Sequence, residues 1–250
     1  MDSFVLSAVI FALMLGGILL GALLRSTLPD HHLSRDSQDT IRLGVGLIAT
    51  MAALVVGLLI AAAKNSFDTQ GGQIRQITAD LILLDNLLAQ YGPEAKPMRA
   101  EIRRAMPNFV NRLWHEKAQT AGPFEADASA EKIYLEIQAL APQNDLQRSL
   151  QARAAQTSTD LAQTRLLLFA ESGSSIPLPF LGVLALWLII IFASFSLFTS
   201  LNATVFISLS LFALSAAGAI FLVLELNDPF NGLLRISDLP LRNALAPLGS

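Results

Sequence analysis

Four apolar runs alternate along the chain with segments in which apolar residues return every three or four positions. The runs cover 4–24, 43–63, 180–198 and 203–224. About 20 apolar residues rising 1.5 Å each cross a hydrocarbon core of roughly 30 Å, so each run predicts a membrane-spanning helix. The second run, LGVGLIATMAALVVGLLIAAA, has 21 residues without a charge and stops at Lys64, whose ammonium can snorkel to the interface from a helix end. Beyond Lys64 the period changes. Ile74, Ile77, Leu81, Leu84, Leu88 and Tyr91 follow one another at spacings of 3, 4, 3, 4 and 3, with Arg75, Asp80, Asp85 and Asn86 between them. That heptad-type seam predicts that the spanning helix continues out of the membrane and packs along another helix in water. Gly92-Pro93 ends it.

The partner helix is expected at 145–171. Asn144, followed three residues later by Gln147, has the form of a capping box, and Leu146, Leu150, Thr157, Leu161 and Leu168 mark its apolar side. It is about as long as 65–91, which predicts an antiparallel stalk. Between the two stalk helices, 94–118 reads as two short helices, each with a proline near its start, Pro97 and Pro107. Its basic residues, Arg99, Arg103, Arg104, Arg112 and Lys117, face either anionic headgroups or solvent beside Glu94, Glu101 and Glu116. Ser129 is expected to cap a helix through Leu140, and Phe109 and Trp114 read as packing residues. In the 25–42 connector, Ser37 or Asp39 is the expected cap of the second span. Residues 173–179 return the chain to the membrane, and 199–202 join spans three and four as a hairpin. The fold class is therefore all-α: a four-span transmembrane helical bundle with an extramembrane helical stalk between spans two and three. Its parts are 1–63, the first transmembrane pair; 64–177, the extramembrane region; 178–226, the second transmembrane hairpin; and 227–250, a C-terminal tail.

Small residues refine this picture. Gly46, Thr50, Ala53, Gly57, Ala61 and Lys64 fall on one side of the second span. In lipid, helices associate by packing rather than by the hydrophobic effect, so such a face marks either a close helix contact or the wall of a pore. Gly17 and Gly21 form a small-xxx-small pair in the first span, and Ser208, Ser215 and Ala219 a small face in the fourth. Glu225, at the end of the fourth span, is on the same side of the membrane as Lys64 by topology and is its candidate interfacial partner.

Composition excludes more than it assigns. Of 250 residues 53% are hydrophobic and 15% charged, as expected of an integral membrane protein. The net charge of −3 argues against a nucleic-acid partner, and the absence of cysteine removes thiolate chemistry and disulfides. The three histidines are His31, His32 and His115. His31 and His32, beside Asp30, are weak metal candidates, because adjacent residues rarely share one metal and no further ligand is near. No HExxH, GxSxG or phosphate loop is present, and the cores of the spans lack ionisable groups, so neither an enzyme nor a proton-coupled transporter is expected. No cofactor is implied. Basic residues near the span ends number five on the side of the central region (Lys64, Arg75, Arg165, Arg235, Arg242) and three in the connector (Arg25, Arg35, Arg42), which favours a cytoplasmic central region.

Two separated blocks carry a family resemblance: LPDHHLSRDSQDTIRLGVGLIATMAALVVGLLIAAAKNSFDTQ with LLDNLLAQYGPEA, and SSIPLPFLGVLALWLIIIFASFSLF through AIFLVLELNDPFNGLLRISDLPLR. They resemble the bestrophin-like domain family of bacterial membrane proteins. The resemblance implies a bacterial inner-membrane protein with four spans and a helical extramembrane part. The family's name connects it to bestrophins, pentameric anion channels with four spans per subunit. Their second span carries a neck with phenylalanines, whereas 43–63 contains no aromatic residue here, so no pore residue is carried over. Two functions follow. One is an oligomeric ion channel, for anions by that analogy, lined along Gly46, Thr50, Ala53 and Gly57. The other is a non-transporting membrane scaffold or sensor that binds a protein partner through 94–141. Either is a homo-oligomer in a lipid bilayer.

Overall fold

The structure, a computed structural model, describes residues 3–29, 34–115, 128–172 and 178–245. In order, the helices are α1 (Ser3–Thr27), α2 (Arg35–Tyr91), α3 (Lys96–His115), α4 (Ala128–Gln138), α5 (Asp145–Ser172), α6 (Leu178–Leu197), α7 (Ala203–Leu226) and α8 (Leu239–Leu245). No strand occurs among the described residues. Four helices are long and apolar enough to cross a membrane: α1, α2, α6 and α7. The chain is an all-α membrane protein with a helical region between its second and third spans. It forms two compact units, Met1–Asn65 with Ser175–Asn227, and Ser66–Ser174 with Asp228–Ser250.

In the first unit α1 packs along α6 and α7. Met14, Ile18, Leu184, Ala213 and Ile220 form its centre. Its outward surface is leucine and phenylalanine, including Leu23, Leu186, Leu211 and Phe212, as lipid requires of a helix surface that has no water to face. Asn202 caps α7, its side-chain oxygen accepting from Val205 N–H at 2.9 Å, which explains how so short a connector ends one span and begins the next.

α2 is one unbroken helix of 57 residues, so the spanning run and the heptad seam are continuous, as expected. Its cap is Ser34, whose hydroxyl accepts from Ser37 N–H, and not Ser37 or Asp39. The helix starts at Arg35, two residues before Ser37 and four before Asp39, because Ser34 already satisfies a first-turn donor.

The second unit is built on the seam. Ile74, Ile77, Leu81, Leu84, Leu88 and Tyr91 are all buried, each contributing about 2 kcal/mol by leaving water. Opposite them lie Leu150, Ala154, Leu161 and Leu168 of α5. Gln73 Nε2 donates to Glu171 at 2.9 Å, while Gln147 Nε2 donates to the Tyr91 carbonyl at 3.0 Å. The start of one segment thus meets the end of the other, and the pair is antiparallel. Leu146, expected on the apolar side, is exposed in the first turn of α5, where the chain only begins to meet α2. The capping box there is offset: Asn144 Oδ1 accepts from Gln147 N–H, but the Gln147 side chain accepts from Gln143 N–H, one residue before the cap.

Residues 94–118 depart from expectation. After a 3-10 turn at Pro93–Ala95, α3 runs as a single helix through Pro107. A proline inside a helix costs about 3 kcal/mol. The helix continues because Met98, Ile102, Met106, Val110 and Trp114 recur every fourth residue and are all buried, so breaking it would expose half the stripe. α4 begins at Ala128, which puts Ser129 inside the helix rather than at its cap.

Candidate functional site

The second span has three faces. Val45 and Ala52 are buried in the first unit's core, with Ile48, Ala49, Val56 and Leu59 packed beside them. Gly46, Thr50, Ala53, Gly57, Ala61 and Lys64 are all exposed. Leu43, Leu47, Leu54 and Leu58 form a third, exposed ridge. At 3.6 residues per turn, the small face and the leucine ridge are centred about 80° apart. Only 11% of the apolar window of α2 is buried, against 28–33% for the other three spans, so this span leaves most of its surface uncovered by the chain's own fold.

The small face is smooth and weakly polar. A Cβ placed on Gly46 or Gly57 would meet nothing within 4 Å. Thr50 Oγ1 donates to the Gly46 carbonyl at 2.9 Å, so the hydroxyl lies along its own helix. The strip ends in Lys64, at an exposed position, while Glu225 is buried close to the end of α7.

The tight helix crossing in the first unit lies elsewhere, at the glycine pair of α1. A Cβ on Gly17 would lie 3.0 Å from the Ile189 carbonyl oxygen, and one on Gly21 would collide with the Ala193 carbonyl. Ser196, fully buried on α6, donates to the Ile18 carbonyl at 2.6 Å and ties the two backbones together. Ser196 carried no sequence signal of its own, because it lies in an apolar run 178 positions from its partner.

The second unit holds a nearly buried ion pair. Arg99 Nε and Nη2 donate to the two Asp85 carboxylate oxygens at 2.7 and 2.8 Å. That bidentate hydrogen bond, the largest cause, raises the guanidinium pKa further above its already high value. Tyr91 is likewise pushed up, by burial first and by Glu94 second. Trp114 is more than a packing residue: its Nε1–H donates to the Ile236 carbonyl at 2.8 Å, and its ring meets Phe230 edge-on at 5.4 Å. No group of residues able to hold a metal occurs among the described residues, and His31 and His32 lie outside them.

The model of the Bestrophin-like domain family matches residues 11–241. No curated protein is significantly similar to the chain. Among solved structures, a mutant of a bacterial bestrophin homolog from Klebsiella pneumoniae has a similar fold, with a TM-score of 0.68 at 13% identity, covering 94% of this chain and 96% of that one.

Proposed function

We propose that this chain, which belongs to the Bestrophin-like domain family, is one subunit of a homo-oligomeric ion channel, with anions as the expected cargo. The observation that carries this reading is the uncovered second span. Its small face, Gly46–Thr50–Ala53–Gly57, turns away from the subunit's own core and ends at a cation, Lys64. Arranged around an axis, such faces form a smooth wall of weakly polar groups that ends at the level of Lys64. With no aromatic residue in 43–63, a constriction along this wall would be made by Leu, Ile, Val or Met. The adjacent leucine ridge is then the side that meets a neighbouring subunit or lipid.

We place the chain in the bacterial inner membrane with the 64–177 region cytoplasmic, on the balance of basic residues at the span ends. In the same reading Lys64 and Glu225 interact at the interface. Exchange of the two charges in a Lys64→Glu, Glu225→Lys double variant then restores what either single change loses in stability.

The test is anion flux into liposomes containing the purified protein, with Thr50→Trp as the blocking variant. Flux abolished by the tryptophan, in a protein that still folds and assembles, supports a pore along α2. A folded oligomer that passes no anion at any pH, calcium concentration or voltage favours a non-transporting scaffold that acts through 94–141.

A further inference from the structure

The segment after the fourth span folds into a pinned loop with an apolar tip. Its base is closed by the Ile236 N–H donating to the Pro229 carbonyl at 2.7 Å. The Trp114 indole N–H holds the Ile236 carbonyl, and Phe230 is buried against the Trp114 ring. Leu241, just beyond, is fully buried. Four anchors therefore fix the two legs. The tip, Gly232-Leu233-Leu234-Arg235, is exposed, with Leu233 at 81% and Leu234 at 43%. A loop made only to turn the chain carries Gly, Asn, Asp or Ser at its tip. This one presents two leucines and a cation from a preorganised base, where presenting them costs no further loop ordering.

Two lengths keep this loop within reach of the membrane surface. The base side chain Ile236 lies against Gly71: a Cβ there would be 3.7 Å from Ile236 Cδ1. Gly71 follows Lys64 on the same unbroken helix, so it lies about 10 Å further along the axis than the end of the apolar run. The headgroup layer is itself about 5–8 Å deep on each side of the hydrocarbon. Separately, Leu233 follows the last residue of α7, Leu226, by seven positions, a tether of at most about 25 Å even if fully extended.

We infer that the 229–236 loop is a lipid-contact element: Leu233 and Leu234 dip into the boundary between headgroups and acyl chains, and Arg235 binds the phosphates of anionic lipids. The chemistry is that of an interfacial anchor, apolar side chains beside a basic one. It requires only that the chain sit in a membrane and does not depend on transport.

The absence of cysteine from the chain makes the test clean. Leu233→Cys and Leu234→Cys, each labelled with an environment-sensitive fluorophore, are reconstituted in vesicles of phosphatidylcholine with and without phosphatidylglycerol. Leu135→Cys, on the exposed side of α4, serves as the reference. The expected result is blue-shifted emission at 233 or 234 that is quenched by lipids with a nitroxide near the headgroup, and no quenching at 135. Phosphatidylglycerol should deepen the quenching, and Arg235→Gln should reduce the inserted-to-lifted ratio about fivefold in those vesicles. Water-like emission at both tip positions overturns the inference. So does a blue shift without lipid quenching, which would mean that protein, such as a second copy of the chain, covers the tip.

Discussion

Spans one and two each carry three glycines, and a pair from each meets opposite surroundings. Gly17 and Gly21 of α1 lie against the backbone of α6, where a methyl group at Gly21 has no room. Gly46 and Gly57 of α2 face open space. The first pair is used up inside the fold, its closeness fixed by the hydrogen bond from Ser196. The second is left over, on the span with the least buried apolar surface. Small residues in a membrane helix thus announce a close approach or a clear path, and only the neighbour found there says which. A chain that packs one glycine face within itself and keeps another outward leaves a surface that the proposed channel would use for assembly or conduction.

The comparison breaks first at Gly21. Gly21→Leu drives a side chain into the Ala193 carbonyl, and we expect at least about 3 kcal/mol of lost stability or failure to fold, read by denaturation in detergent micelles. If the variant is as stable as the parent, the α1–α6 crossing is not the tight contact described. Ser196→Ala removes the hydrogen bond but keeps the close approach, and should cost about 1 kcal/mol in the same assay. Gly57→Leu sharpens the contrast from the other side. It should change subunit stability by less than about 0.5 kcal/mol, as an exposed position does, while reducing assembly or liposome flux. Unchanged assembly, stability and flux together would leave the second glycine pair without a role.

The smallest effect concerns the C-terminal segment. The hydrogen bond from Arg242 holds the Asp238 carboxyl below its ordinary range. A depressed folded pKa stabilises the protein above the unfolded value and loses that contribution as pH falls through the folded one. Arg242→Gln should therefore lower stability slightly at neutral pH, where the partly solvated pair contributes, and bring the profiles of parent and variant together below about pH 4, which flattens the acid limb. An identical acid limb in parent and variant would mean that the pair does not set it.

Much of this architecture is legible in local spacing. The four spans follow from run length. The stalk segment of α2 follows from six apolar residues at alternating spacings of three and four, all of which are buried. The small face of α2 is equally visible, as is the lack of ionisable residues in the cores of the four runs. Other features are invisible for stated reasons. Pro107 argues locally for a break, and α3 runs through it because the buried stripe from Met98 to Trp114 outweighs one lost hydrogen bond. Trp114 reads as an ordinary core residue, since the carbonyl it binds is 122 positions away.

What the sequence by itself determined is the type and length of each element, because helix period, run length and end caps depend on residues within a few turns of one another. What only the tertiary structure decided is which of two similar glycine faces is covered and where the chain after the fourth span returns. Both depend on groups far apart in the chain meeting in space, Gly21 with Ala193 and Trp114 with Ile236, and no local pattern encodes such a meeting.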